Sequence, residues 1–351
     1  MATFQQVREQ GEAKRLLAAA LAEGPAHAYL FHGPPGVGKR EAARAFAHEL
    51  LQTAREFHPD LYELDALGEM IRIDAIRELR RDLHMRPFEA DRRVYLVFSA
   101  HRINDDAFDA LLKDLEEPPS YAVIVLVADD LGPIPETIRS RCQLVPFRRL
   151  SERAVREVAE ARAPELDDDR RIAYARVAAG RLDRLERLLD PKAVARREIL
   201  LEQARGVYRD ASFEPAAAAA ALLECARERG AAARDVEEVR VQGLDLPARE
   251  ADQRVRRAAR GAERDELLAQ LEELAAWYRD LVVVAVGARE AAVHVDRLAE
   301  LEEDATRERL LGAERAAEAV RETWRALEEF NLAPQLALEA LFVRVARELQ
   351  V

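Results

Sequence analysis

Residues 33–40 constrain the fold of this chain more than any other segment. They read GPPGVGKR, follow the apolar run 28–31 and precede a helical pattern that begins at Glu41. A strand, a glycine-rich turn ending in lysine, and a helix form a phosphate-binding loop, in which backbone amides cradle phosphates and the lysine reaches the outer ones. A chance glycine-rich turn is the alternative, and the agreement of all four features argues against it. The predicted binding residues are Gly33, Gly36, Gly38 and Lys39.

The groups that would hold a metal ion are missing from this loop. Position 40 is arginine, where a working loop places a serine or threonine hydroxyl on Mg²⁺. The acidic strand is expected at 94–98, where Phe98 and Ser99 stand in the two carboxylate positions. His101 is a conceivable substitute base, but a histidine at a helix start explains it more simply. We therefore predict poor Mg²⁺ binding and no hydrolysis by this chain. Whether ATP or ADP still binds is left open by the sequence, and any such binding is expected to be weak.

The distribution of apolar runs predicts the fold class. Runs at 28–31, 94–98 and 123–127 alternate with helical patterns, which is typical of βαβ units with a parallel sheet. The remainder is helical, with residues 230–253 the least regular part and interpreted as a linker or loop. We predict an α/β domain at 1–150, a small helical lid at 151–206 and an all-helical domain at 207–351.

Composition limits the partners and the compartment. The 54 Lys and Arg residues against 66 Asp and Glu residues give a net charge of -12, so any contact with DNA should be local or shared with partners. Cys142 and Cys225 lie far apart and without metal-ligand spacing, which argues against zinc and disulfides. Residues 1–10 lack an apolar signal segment, and the run 281–288 is too short to span a bilayer. These features predict a cytoplasmic protein.

Several motifs together resemble the clamp-loader AAA+ family of bacterial DNA polymerase III, and specifically its delta-prime branch, over nearly the whole chain. They are HAYLF at 27–31, HPD at 58–60, IRIDAIREL at 71–79, Asn104, LLKDLEEPP at 111–119 and TIRSRC at 137–142. The resemblance implies an AAA+ domain, a lid and a helical collar. Residues 277–281 and 331–339 look like collar segments, although aromatics at helical spacing are also ordinary core residues. The four-cysteine zinc module of some family members is absent between residues 50 and 67.

The resemblance also implies roles for single residues. Arg141 matches the arginine finger that reaches a neighbouring subunit's nucleotide site. Ala128 and Asp129 stand where a first sensor would carry threonine or asparagine, and Asp183 replaces the second sensor arginine. Arg181 or Arg184 takes that place only if the register slips.

The implied function is that of a stator in a five-subunit ring that loads the sliding clamp onto primed DNA. Implied partners are the gamma/tau motor subunits and the delta subunit, with the clamp and primer-template DNA reached through the complex. One alternative is an active gamma/tau-type ATPase. Another is a pure scaffold, against which residues 140–142 argue. One basic stretch is a candidate DNA contact, although a solvated helix face is the simpler explanation. It comprises Arg254, Arg256, Arg257 and Arg260.

Overall fold

The computed structural model describes residues 7–55, 57–66, 70–242, 247–330 and 332–350. Asn331, the first residue of one predicted collar segment, and Leu67 lie outside these ranges. The chain divides into two compact units, one made of 1–158 with 180–184 and the other of 159–179 with 185–351. The division into a lid at 151–206 and a collar at 207–351 stays a prediction.

The first unit contains a five-stranded parallel sheet in the order β2-β3-β4-β1-β5. The strands are β1 (Ala28–His32), β2 (Leu61–Leu64), β3 (Arg93–Val97), β4 (Ala122–Ala128) and β5 (Gln143–Pro146). The three strands predicted from apolar runs are present, and they are almost wholly buried. The two outer strands are short and partly exposed, so they lack the apolar run that revealed the others.

Helices cover both faces of this sheet. They are α1 (Gly11–Glu23), α2 (Lys39–Leu50), α3 (Ile73–Leu83), α4 (Asp105–Glu116) and the short α5 (Glu136–Arg139). Tyr29 and Phe31 pack on the face that contains Phe46 of α2, whereas Leu30 packs with Leu111 of α4 on the other. Successive strand side chains point to opposite faces, so both faces of β1 must be covered. The predicted α/β class with a parallel sheet is confirmed.

The HPD segment has a structural use in this unit. The fully buried Asp60 carboxylate accepts hydrogen bonds from the backbone N–H groups of Phe88, Glu89 and Ala90 at 2.6, 2.8 and 2.9 Å. Burial would raise the pKa of Asp60, but these three donors outweigh it and hold the pKa below its usual range. Asp60 therefore fixes the loop that leads into β3.

Beyond β5, the described residues are helical with short connections. The helices are α6 (Glu152–Arg162), α7 (Asp168–Ala178), α8 (Leu182–Leu189), α9 (Pro191–Arg209), α10 (Pro215–Gln242), α11 (Ala248–Ala285), α12 (Leu298–Asp304), α13 (Leu310–Glu329) and α14 (Pro334–Leu349). The proposed linker at 230–253 is wrong for most of its length, because α10 continues to Gln242 and α11 begins at Ala248. Residues 243–246 lie outside the described ranges. Alanine and arginine are strong helix formers, which explains the difference.

The second unit has one large hydrophobic core. Trp277 and Tyr278 of α11 are fully buried in it, and they pack in the same cluster as Leu200 of α9 and Phe342 of α14. The prediction that the aromatic residues at 277–281 are core residues is confirmed. Among the residues with described structure, no helix combines the length and apolar character needed to span a bilayer.

Candidate functional site

The predicted phosphate-binding loop forms at the carboxyl end of β1 and leads into α2. Gly33, Gly36 and Gly38 have φ angles of 140°, 67° and 90°, in the region that side chains with a Cβ rarely adopt. A Cβ on Gly33 would lie 2.1 Å from the carbonyl oxygen of Phe147, so glycine is required there. The structure therefore brings the four predicted residues together in one loop.

Lys39 turns into its own loop. Its side chain is only 4% exposed, and Nζ donates to the carbonyl oxygens of Gly33, at 2.7 Å, and Pro34. Nζ also lies 2.7 Å from Oδ1 of Asp129, which follows β4. Burial lowers the pKa of Lys39, and Asp129 partly offsets this effect. An ammonium group has three N–H donors, and the three acceptors named here therefore use all of them.

Asp183 lies directly over the loop. A Cβ on Gly36 would lie 1.7 Å from Asp183 Oδ1, and the backbone N–H of Leu182 donates to the Gly36 carbonyl at 2.6 Å. Arg181 holds the Asp183 carboxylate through Nε at 3.1 Å and Nη2 at 2.6 Å. Burial would raise the pKa of Asp183, but Arg181 outweighs it and keeps the pKa lowered. The Asp183 carboxylate, with its charge balanced by Arg181, therefore occupies space above the loop.

The place of the metal ligands is taken by a guanidinium group. Arg40 donates to both carboxylate oxygens of Asp65, at 2.5 and 3.0 Å, and to Ser99 Oγ at 3.0 Å. The guanidinium carbons of Arg40 and Arg44 lie 4.8 and 4.9 Å from the centre of the Phe98 ring. These residues do not fit Mg²⁺, since a fixed cation already satisfies the Asp65 carboxylate and Phe98 offers no oxygen.

His101 lies at the carboxyl end of the strands, beside the loop. It lies in a short 3₁₀ turn at 100–102, and its Nδ1 accepts the backbone N–H of Asp129 at 3.1 Å. Burial lowers its pKa, which favours the neutral ring. This contact agrees with a structural role for His101.

Arg141 precedes β5, at the opposite end of the strands from the loop. β5 runs parallel to β1 with Gln143 beside Tyr29, so Arg141 is level with the residue before β1, while Gly33 follows the end of β1. Six residues of strand at about 3.3 Å each separate these levels by roughly 20 Å. Arg141 therefore cannot serve the loop of its own chain.

The side chain of Arg141 is anchored on two sides. Nη1 donates to the Thr137 carbonyl oxygen at 2.8 Å, and Nη2 forms an ion pair with Glu116 at the end of α4. The side chain is 34% exposed, so part of the guanidinium faces solvent. Arg139 instead pairs with Glu136 at 2.5 Å.

Three acidic residues form ion pairs with these basic side chains that the sequence analysis did not predict. Asp65 pairs with Arg40, Asp129 with Lys39 and Glu116 with Arg141. Asp65 and Asp129 each follow the carboxyl end of a strand, which is a signal that could have indicated them. Glu116 gave no such signal, because it ends a helix rather than a strand.

Comparisons with known proteins find similarity to subunits of DNA polymerase III. Residues 9–151 match the family described as DNA polymerase III, delta subunit. The chain is 35% identical to the tau subunit of DNA polymerase III from Bacillus subtilis, over 40% of this chain and 28% of that protein. It is 34% identical to the gamma/tau subunit from Mycobacterium bovis, over 44% of this chain and 30% of that protein.

These matches cover only part of each protein. The chain spans less than a third of the length of these two curated relatives. A solved DNA polymerase III gamma subunit-related protein from Thermotoga maritima aligns with 97% of this chain and 100% of its own, at 16% identity and a TM-score of 0.46. The family match thus connects residues 9–151, which contain the sheet, with subunits of DNA polymerase III.

Proposed function

We propose that the chain is a delta-prime-type subunit of a bacterial DNA polymerase III clamp loader. It supports ATP-driven loading of the sliding clamp onto primed DNA in replication, does not hydrolyse ATP itself, and supplies Arg141 to a neighbouring ATPase subunit. The observation that carries the proposal is the combination of a well-formed phosphate loop with Arg40 where the metal hydroxyl should be.

The contacts around the loop argue against hydrolysis in this chain. All three donors of Lys39 are used by Gly33, Pro34 and Asp129, so binding a phosphate would require breaking contacts inside the protein. Asp183, in its ion pair with Arg181, occupies the space above Gly36. Phosphoryl transfer relies on positioned metal and cationic groups, and the Asp65 carboxylate and Ser99 hydroxyl at this position are already bound by Arg40.

The location of Arg141 supports action in trans. An arginine finger stabilises charge on the transferring γ-phosphoryl group and requires no metal or base on its own chain. Arg141 lies roughly 20 Å from its own loop, by the strand rise of about 3.3 Å per residue, and part of its guanidinium faces solvent. The proposed target of Arg141 is therefore the nucleotide site of a neighbouring subunit that docks at the amino end of β5.

Two other functions are weighed against this one. An active gamma/tau-type ATPase is suggested by the names of the similar relatives, but it would need Mg²⁺ chemistry at a site filled by Arg40, Asp65 and Ser99. A pure scaffold would have no use for an exposed, anchored arginine at position 141. Both alternatives are addressed by activity measurements on the assembled complex.

The proposed partners are gamma/tau and delta subunits in the cytoplasm, with the clamp and primer-template DNA reached through the complex. Direct DNA binding by the basic stretch of α11 is not part of the proposal. Two of its four arginines are in ion pairs, Arg254 with Glu237 and Arg256 with Asp252. Paired arginines on a helix surface carry less free charge for phosphate contacts.

The purified chain is expected to hydrolyse ATP no faster than its Lys39→Ala variant. The physical reason is that the Mg²⁺ hydroxyl and both acidic groups are missing, so Lys39 has no reaction to assist. The measurement is phosphate release with and without Mg²⁺, with a purified gamma/tau subunit as the positive control. Turnover that depends on both Lys39 and the metal would show that the chain is an ATPase.

A further inference from the structure

We propose that Glu116 is the positioning residue of the arginine finger. It holds the Arg141 guanidinium in the orientation in which it enters the nucleotide site of a neighbouring subunit. This inference rests on the proposed function. It adds a residue on a different element, α4, whose role the sequence did not suggest.

The geometry provides two fixed anchors for one guanidinium group. Thr137 accepts a hydrogen bond from Nη1, and the Glu116 carboxylate binds Nη2, so the planar group is held at both terminal nitrogens. An arginine side chain has many rotamers, and a group held in place loses less freedom when it meets its target. With side-chain exposures of 34% for Arg141 and 49% for Glu116, the pair stays accessible to a second protein.

The position of Glu116 in its helix is informative. Glu116 is the last residue of α4, where the negative end of the helix dipole disfavours a carboxylate. Local helix stability therefore does not explain an acid there. The neighbouring acid Asp114 is buried and already committed to Arg80 and, at 3.2 Å, to His84, so it cannot hold Arg141.

The two acids of this stretch thus have separate tasks. Asp114 connects α4 to α3 within the fold, whereas Glu116 reaches the segment that precedes β5. Partly exposed ion pairs contribute little to folding stability. The Glu116–Arg141 ion pair contributes little to folding stability, and the helix dipole disfavours the Glu116 carboxylate. Both facts fit a role for Glu116 in positioning Arg141.

The test uses the full chain reconstituted with the gamma/tau and delta subunits. Glu116→Ala is expected to lower kcat for DNA- and clamp-stimulated ATP hydrolysis by about three- to tenfold at the affected site, because a misplaced catalytic group is less effective. KM for ATP, assembly and the thermal midpoint of the chain should not change. Glu116→Gln, which retains an acceptor oxygen, should give an intermediate rate.

Glu117→Ala is the matched control, since Glu117 is exposed and adjacent. A purely structural role for Glu116 would lower the thermal midpoint along with the rate. Unchanged or faster hydrolysis in Glu116→Ala overturns the inference, and faster hydrolysis would mean that the carboxylate competes with the phosphate. If Arg141→Ala lowers the rate and Glu116→Ala does not, only the positioning role fails. If neither changes it, the proposed function fails as well.

Discussion

Replacing Arg141 by alanine is expected to lower ATP hydrolysis at one site of the reconstituted clamp loader by roughly 10³ to 10⁵, the effect of losing an arginine finger. The total rate should fall only in part, because other subunits present their own fingers to the remaining sites. Folding should be nearly unaffected, since Arg141 is partly exposed and contributes little to the core.

The measurement is DNA- and clamp-stimulated hydrolysis by complexes whose assembly has been confirmed. Arg139→Ala is the neighbouring control, because Arg139 has the same side-chain exposure of 34% and pairs with Glu136 instead. The account predicts a lower rate for the Arg141 variant and an unchanged rate for the control. Equal rates for the wild type and both variants would make Arg141 a structural residue.

Replacing Asp280 by alanine is expected to destabilise the second unit by about 3–5 kcal/mol, the typical cost of breaking a buried ion pair. Asp280 is fully buried, and Oδ2 accepts the backbone N–H groups of Val293 and His294, each at 2.8 Å. The ring of His294 lies with Nδ1 2.8 Å from Asp280 and Nε2 3.2 Å from Glu273. The variant leaves His294 with one carboxylate partner and two backbone donors without an acceptor.

This loss should depend on pH. Burial alone would lower the pKa of His294, but the hydrogen bonds to Asp280 and Glu273 outweigh it and raise the pKa to about 9. The folded-state pKa is thus above the unfolded value of about 6.5. The stabilisation by charged His294 is therefore complete below about pH 6.5 and is lost as the pH rises through about 9.

The free energy of unfolding can be measured by urea titration at pH 6 and pH 10, followed by tryptophan fluorescence. Both tryptophans, Trp277 and Trp324, lie in the second unit and report on its unfolding. Asp252→Ala on the exposed part of α11 is the control and should change stability by less than about 0.5 kcal/mol. An Asp280→Ala effect no larger than the control at pH 6 would contradict the role of this buried network.

Much of the fold could be predicted because local patterns determine it. The runs at 28–31, 94–98 and 123–127 correspond to the central strands, since strands buried on both faces must be apolar throughout. β2 and β5 were missed because outer strands are only partly covered. Parts of two long helices were missed in the irregular sequence at 230–253, because alanine-rich sequences have helix propensity without a strong apolar face.

The site could be predicted in its residue types but not in its contacts. The loop, Arg40 and the Phe98–Ser99 pair follow from spacing along the chain. The ion pair of Lys39 with Asp129 joins residues 90 positions apart, and Asp183 reaches Gly36 from an element outside the sheet. Such contacts depend on how distant segments come together, which periodicity and motif spacing do not encode.

The central claim, that this chain is a clamp-loader subunit, is tested most directly by capturing the tagged full-length chain from its own cells and identifying the bound proteins. The account predicts near-stoichiometric recovery of gamma/tau and delta subunits of DNA polymerase III, with the Lys39→Ala variant recovering the same set. Recovery of the chain as part of a different assembly, without these subunits, would contradict the account.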